Sequence, residues 1–256
     1  MRDAGSFDLL GIRVSAASFS EVLDYVLDAP EAGGRLSIHF ATVHTLVEAH
    51  RNGDLRQALM EGVVEPDGMP LVWLGQREFP GLERVCGPDF MPALIQGGIP
   101  FGRAHFFYGG APGVPEALAA RLVGRYPGIR VAGTLSPPFR ALSQAESASI
   151  VETINAAEPD YVWVGLGTPK QDLWVAENRP RLRASALLAV GAAFDFHAGR
   201  RRRAPRWMQR SGTEWIYRLA TEPRRLAARY TATNARFLRL VVAERLRNRR
   251  KRRNPR

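Results

Sequence analysis

Ala104-His105-Phe106-Phe107-Tyr108-Gly109-Gly110-Ala111-Pro112-Gly113-Val114 is the stretch that decides the fold. Its first five residues read as a buried strand. The glycines break the strand, and the apolar spacing from Val114 to Tyr126 reads as a helix. Strand, glycine turn and helix in this order is the Rossmann-like arrangement, which places backbone N–H groups at a helix N-terminus where phosphates bind. The full G-x-G-x-x-G spacing is lacking and no acid follows at the usual distance. Many such turns serve only close strand–helix packing.

The same unit recurs on both sides of this stretch. Tyr161-Val162-Trp163-Val164-Gly165-Leu166-Gly167 is a strand and turn, followed by Thr168-Pro169-Lys170-Gln171-Asp172 and a helix to about Asn178. Leu187-Leu188-Ala189-Val190 is a strand that breaks at Gly191-Ala192-Ala193 and delivers Phe194-Asp195-Phe196-His197. Arg130 to Thr134 is another strand, and Ser143 with Glu146 forms a capping-box pattern ahead of a helix to about Ala157. Upstream, Phe7 to Val14 reads as a short strand pair around Gly11, and Ser18 or Ser20 caps a helix to Leu27. Leu36-Ser37-Ile38-His39-Phe40 alternates as a strand does and leads through Ala41-Thr42-Val43-His44 into a helix from about Thr45 to Arg51. Val63-Val64-Glu65-Pro66 exits into the Asp67-Gly68 turn, and Pro88 and Asp89 open a helix through Ile95. The expected fold is α/β: a Rossmann-like, mostly parallel sheet covered by helices on both faces, over residues 1–195.

Such sheets bind ligands in the crevice outside the carboxyl ends of their strands. Thr42, His44 and Asp67 sit at strand exits. Thr42 reads first as a helix cap, and the default role of an Asp in an Asp-Gly turn is local backbone bonding. Arg84 is either a phosphate ligand or a partner for Asp67 or Asp89. Asp195 either faces the pocket or pairs with Arg203 or Arg206.

A chain of 256 residues with ordinary apolar content buries a full core, which argues against wholesale disorder. Its charge is uneven. Residues 196–256 hold 20 of the 36 Lys and Arg and three of the 25 acids, a net of +17 that leaves −6 on the rest. A strongly basic end on a slightly acidic body calls for a polyanion: nucleic acid, an anionic membrane face or a phosphorylated substrate. Arginine is the side chain best shaped to grip phosphate bidentately. The single Cys86 excludes an intrachain disulfide and fits a reducing compartment. The first residues show no secretion-type apolar run, and no stretch approaches the ~20 apolar residues that span a bilayer. The expected location is the cytosol, with room to lie on a membrane.

Beyond Phe196 the pattern changes to helices alone, so residues 196–256 are expected to form a basic helical appendage. Leu238, Val241, Val242 and Leu246 fall on one helical face with Arg236, Arg239, Arg245 and Arg247 around it. That helix either binds an anionic membrane surface or packs its apolar stripe on the body and shows its arginines to water. Two other function classes are weaker. A nucleic-acid-binding module has the basic end but no helix-turn-helix, zinc-ligand or stacking-aromatic signature, so no nucleic acid is expected. A nicotinamide-dependent oxidoreductase lacks its glycine fingerprint and its ribose-binding acid.

Taken together, several stretches resemble one family, the WecG/TagA/CpsF glycosyltransferases, glycosyltransferase family 26. They are Asp67-Gly68 with Val72-Trp73, Glu83-Arg84-Val85-Cys86-Gly87-Pro88-Asp89 with Met91-Pro92, and Phe107-Tyr108-Gly109-Gly110. Further on come Val164-Gly165-Leu166-Gly167-Thr168-Pro169-Lys170-Gln171-Asp172 and Val190-Gly191-Ala192-Ala193-Phe194-Asp195-Phe196. Arg203-Ala204-Pro205-Arg206-Trp207-Met208-Gln209, Glu214-Trp215-Ile216-Tyr217-Arg218-Leu219, Glu222-Pro223-Arg224-Arg225 and Arg229-Tyr230 complete the set. The resemblance runs in order over roughly residues 8–240.

The resemblance implies inverting transfer of a sugar from a UDP-sugar donor to a sugar on a polyprenyl-diphosphate carrier. Family members make wall teichoic acid linkage units, enterobacterial common antigen and other surface polysaccharides. It implies a Rossmann-like body, neither cofactor nor metal-binding D-x-D motif, and an appendage that helps bind the inner face of the cell membrane. Some members self-associate through the body, so a homo-oligomer is one expectation. The family's catalytic base falls on Asp67. Its Thr-x-Asn corresponds to Thr42-Val43-His44, where His44 replaces asparagine, a departure that bears on which sugar is bound. Arg84 and Gln171 match polar residues of the pocket, and Gly109, Gly110 and Asp195 lie in matching motifs. Arg218, Arg225 and Arg229 are the candidates for stabilising the leaving diphosphate, the role a metal would otherwise play.

Overall fold

The computed structural model describes residues 5–221 and 223–253, with backbone alone at 224–231 and 248–253. The chain begins as a hairpin, β1 (Ser6–Leu9) and β2 (Ile12–Ser15), paired antiparallel. Leu10 and Gly11 both turn with positive φ, the two-residue turn whose twist matches that of the flanking strands. A helix follows over Phe19–Leu27, with Ser18 and Glu21 forming a capping box. Then come β3 (Leu36–Ala41), β4 (Val63–Pro66), β5 (Ala104–Gly109), β6 (Arg130–Leu135), β7 (Tyr161–Gly165) and β8 (Ala186–Ala189). Among the described residues these six form one sheet in the order β4-β3-β8-β7-β5-β6, with every neighbouring pair parallel. The expected α/β sheet flanked by helices is therefore present.

Helices cover both faces, which is why the central strands read as nearly continuous apolar runs. On one face Ile38, Phe40, Phe107, Trp163 and Leu188 pack with Val22, Phe90, Leu94 and Leu118 of the helices Phe19–Leu27, Gly87–Gly98 and Val114–Arg125. On the other, Phe106, Tyr108, Val162, Val164 and Leu187 meet the helices Gln144–Ala156 and Lys170–Asn178. Ala41 and Val64 join a further cluster with Leu46, Leu55 and Leu59 of the helices Val43–Ala49 and Gly53–Met60. Each fully buried large side chain contributes ~1.5–3 kcal/mol. The alternation at 36–40 marks the strand β3. Ile38, His39 and Phe40 are all buried, and His39 is tolerated there because its Nδ1 lies 2.9 Å from Asp172 Oδ1.

After β8 a short helix, Ala193–His197, leads to Arg206–Arg210, Glu214–Thr221 and Pro223–Arg253. The expected apolar stripe of the last helix divides into two ridges. Phe237 and Val241 are buried, packing in the cluster that holds Leu9 and Leu46. Leu238, Val242 and Leu246 are 64%, 56% and 55% exposed. The ridges lie side by side because both repeat every four residues, one position apart. Glu244 ties this helix to the hairpin by accepting from Leu10 N–H at 3.2 Å.

Glu65 on β4 is fully buried, and among the described residues neither carboxylate oxygen has a hydrogen-bond partner of good geometry. Burial pushes its carboxyl up to about 8, with Ser15 partly opposing. As pH rises from the ordinary value of 4.5 towards about 8, the unfolded chain gives up this proton and the folded chain keeps it. This carboxyl therefore makes stability fall across that window and adds no slope above it. In urea titrations across that window, Glu65→Gln is expected to show a shallower fall of the unfolding midpoint than the parent. Equal slopes in the two proteins would refute the assignment.

Candidate functional site

The chain leaves β5 towards β6 and leaves β7 towards β8, in opposite directions along the sheet. Helices diverge at such a point and a crevice opens at the carboxyl ends of the strands. Its floor is a contact between glycines. Gly109 has φ +123, and a Cβ there would lie 2.7 Å from the Gly165 carbonyl carbon. A Cβ on Gly165 would lie 2.6 Å from the Phe194 ring. Gly110 donates its N–H to Gly165 O at 2.9 Å and accepts from Ser136 Oγ at 2.8 Å.

The crevice has a volume of about 1590 Å³. Thr42, His44, Asp67, Arg84, Gly110, Gln171, Asp195 and Arg218 all line it, so it gathers residues from distant parts of the sequence. Gly109 lies behind the wall against Gly165. The side chains of Arg225 and Arg229 lie outside the described residues. Thr42 is both a lining residue and the N-cap of the helix Val43–Ala49, with its N–H donated to Thr45 Oγ1 at 3.1 Å.

Gln171 holds the wall together. Its Oε1 accepts from Gly167 N–H and its Nε2 donates to Ala189 O, both at 2.9 Å. One residue on, Asp172 accepts from Thr168 Oγ1 at 2.8 Å through the oxygen that does not meet His39. The loop after β7 is thereby fixed to β8 and β3.

Asp67 follows β4, and its N–H donates to Ala41 O at 2.9 Å, which locks the exits of β3 and β4 together. Arg84 donates from Nε to the Asp67 carbonyl. Its Nη2 serves two carboxylates, Asp67 Oδ1 at 3.0 Å and Glu214 Oε2 at 3.2 Å. Of the partners the sequence left open for Arg84, the structure selects Asp67. Asp89 instead takes Arg203, with Nη2 at 2.9 Å from Oδ2 and Nη1 on Oδ1, and accepts from Cys86 Sγ at 2.9 Å. Arg203 Nε lies 3.8 Å from Glu214 Oε1. Asp195 lines the crevice and pairs with Arg201 Nε at 3.0 Å, where Arg203 and Arg206 had been its expected partners.

The electrostatics follow from this packing. Burial pushes the Asp67 carboxyl above its ordinary value; Arg84 pulls it back and Glu214 pushes it further up. Burial acts against Arg84, yet Asp67 and Glu214 hold its guanidinium more firmly protonated than usual. Burial also opposes Asp89 ionisation, but its hydrogen bonds to Arg203 and Cys86 keep that carboxyl below the ordinary range. The crevice thus presents a carboxylate with raised proton affinity, the property of a general base. Lys170, Arg200, Arg201 and Arg218 on the lining supply cationic groups suited to phosphate. Among the described residues no group of three or more His, Cys, Asp or Glu is placed to hold a metal ion.

Glu214 is the site residue whose part sequence reasoning missed. It was visible as one of three acids in a segment of net charge +17, but its partner Arg84 is 130 residues away.

A family model described as "Glycosyl transferase WecG/TagA/CpsF family" matches residues 7–251. An N-acetylglucosaminyldiphosphoundecaprenol N-acetyl-beta-D-mannosaminyltransferase of Bacillus spizizenii is 30% identical over 161 residues, 62% of this chain and 61% of that protein. The protein of the same name in Bacillus subtilis is 29% identical over 159 residues, 62% of this chain and 60% of its own length. The matched stretch thus spans about three fifths of these relatives.

Replacing Gln171 by Leu leaves a backbone donor and a backbone acceptor unmade inside the protein. At ~1–3 kcal/mol for the buried Ala189 carbonyl and less for the part-buried Gly167 N–H, the expected loss is at least ~1–3 kcal/mol, read as a lower urea midpoint. A midpoint within experimental error of the parent would show that the loop does not depend on these bonds.

Proposed function

The chain belongs to the WecG/TagA/CpsF glycosyltransferase family, and from that premise we propose that it transfers a sugar from a UDP-sugar to the sugar of a polyprenyl-diphosphate-linked acceptor, with inversion. The observation that carries the reading is Asp67: a carboxyl of raised proton affinity at a strand exit, held by Arg84 on the wall of a crevice lined with arginine. In this reading the acceptor hydroxyl forms its bond to the anomeric carbon while its proton passes to the Asp67 carboxylate. The anomeric bond to the diphosphate breaks, and its electron pair leaves with UDP. Arg218, with Arg225 and Arg229, stabilises the charge that builds on the departing diphosphate. Thr42 and His44, beside Asp67, contact the sugars. Gln171 sets the loop that shapes the pocket, and Gly110 and Asp195 complete its lining.

The relatives' names make N-acetylmannosamine the first donor to test and an undecaprenyl-diphosphate N-acetylglucosamine the first acceptor. N-acetylmannosaminuronic acid and glucose are the next donors. Residues 1–195 serve as the catalytic body and 196–256 as the part that meets the membrane. No helix among the described residues is long and apolar enough to cross a bilayer. The exposed ridge Leu238, Val242 and Leu246, with exposed Trp207, Trp215 and Ile216, suits contact with an anionic surface at the inner face of the cell membrane. Arg236, Arg239, Arg245 and Arg247 flank that ridge.

UDP release with EDTA present is expected from one donor of the panel and only when a short-chain polyprenyl-diphosphate sugar is added. Asp67→Asn should lower that release by ~10²–10⁴-fold, the range for loss of a general base. Undiminished release from the variant would remove Asp67 from the chemistry. Leu238→Ser with Val242→Ser removes two exposed apolar side chains, and co-flotation with phosphatidylglycerol vesicles should fall at least about tenfold. Equal flotation of parent and variant would count against this face.

A further inference from the structure

Glu214 stands in a segment where 20 residues are basic and three are acidic, yet its side chain is 15% exposed and faces inward. It meets Arg84 at the same nitrogen, Nη2, that holds Asp67 Oδ1. We propose that Glu214 is a positioning residue for the reacting carboxylate: by taking a share of the Arg84 fork, it keeps Asp67 free to accept a proton. The inference rests on the reading of Asp67 as the base.

The charges around Asp67 make the argument. Arg84 and Cys86 face it from the loop before the helix Gly87–Gly98, Arg203 from the stretch before Arg206–Arg210, and Glu214 from Glu214–Thr221, while Asp89 joins the group through Arg203. His44 lines the same crevice from the helix Val43–Ala49. Burial holds the Cys86 thiol protonated, so it adds no charge. Three carboxylates, Asp67, Asp89 and Glu214, then share two guanidiniums, Arg84 and Arg203, and the linked cluster carries a net charge of −1. The negative charge of Glu214 beside the Arg84–Asp67 pair favours proton uptake by Asp67. Without Glu214 the cluster is neutral and Arg84 pairs with Asp67 alone, a carboxylate too well satisfied to be a strong base. The bond to Arg84 is what links this acid to the chemistry. Arg218 lies four residues on, on the same face of the helix, and lines the same crevice.

The test uses the full chain with 13C-carboxyl-labelled aspartate, following the Asp67 resonance by NMR as pH is varied. The resonance is identified by its absence in Asp67→Asn. In Glu214→Gln the titration midpoint should move down by about one pH unit, a tenfold loss of proton affinity. Glu214→Asp, which keeps the charge, should return most of it. Glu214→Ser, a residue suited to the start of a helix, is read in the same way should the Gln variant fail to fold. A midpoint that stays put in a folded, charge-free variant overturns the proposal, because a merely structural tether would leave it unmoved. The acidic limb of kcat against pH should shift in the same direction. If no donor is turned over by the parent, the transferase reading falls while the titration still decides the role of Glu214. If turnover is intact and neither midpoint nor limb moves, only the role of Glu214 falls.

Discussion

The whole site hangs on two strands meeting where neither can carry a side chain. Gly109 and Gly165 bring β5 and β7 into backbone contact at the point where their outgoing connections diverge, and the Phe194 ring closes over Gly165. Any Cβ at either position would push these layers apart. Their contact sets the depth of the crevice floor, and the bond from Gly110 to Gly165 carries the constraint to the crevice wall. Glycine here is a spacing device between a strand and its neighbour, and the Gly110 N–H is used for packing.

Beyond the exit of β4 stands a set of charges that are satisfied mainly by one another. Arg84, Arg203, Asp67, Asp89 and Glu214 form a chain from the exit of β4 to the helix Glu214–Thr221. Ion pairs partly withdrawn from water, as Arg84 with Asp67 and Glu214 are, offset desolvation only when their geometry is good and their remaining hydrogen bonds are made. The Arg84 bond to the Asp67 carbonyl and the Cys86 bond to Asp89 supply part of that requirement. The outcome is an arrangement in which the proton affinity of one carboxyl depends on residues more than a hundred positions away in sequence.

Much of the architecture was legible because burial on both faces leaves apolar runs, as in Phe106-Phe107-Tyr108 and Val162-Trp163-Val164. Capping residues were legible for a local reason too: Ser143 starts its helix where Glu146 three residues on said it would, and of the candidates Ser18 and Ser20 it is Ser18 that caps the first helix. Edges slipped. β8 runs Ala186–Ala189, one residue earlier than its apolar content suggested, and the helix after β3 starts at Val43 because Thr42 is its cap. The partner that lets His39 lie buried, Asp172, is 133 residues away and could not be read from the strand. The ion pairs were out of reach for that reason too. An arginine has many acids in range along a chain, and only the fold decides between Asp67, Asp89 and Glu214.

The buried pair of His39 and Asp172 also limits how this sequence can change. Removing either member strands the other inside the protein, which costs ~3–5 kcal/mol, whereas exchanging both for apolar groups of similar volume is close to neutral. Single substitutions at these positions therefore cross a valley that the double substitution avoids. Asp172 also holds Thr168 in the crevice loop, so a lineage that lost the pair would have to find another way to fix that loop. Positions 39 and 172, separated by 133 residues, are thus under one shared physical constraint.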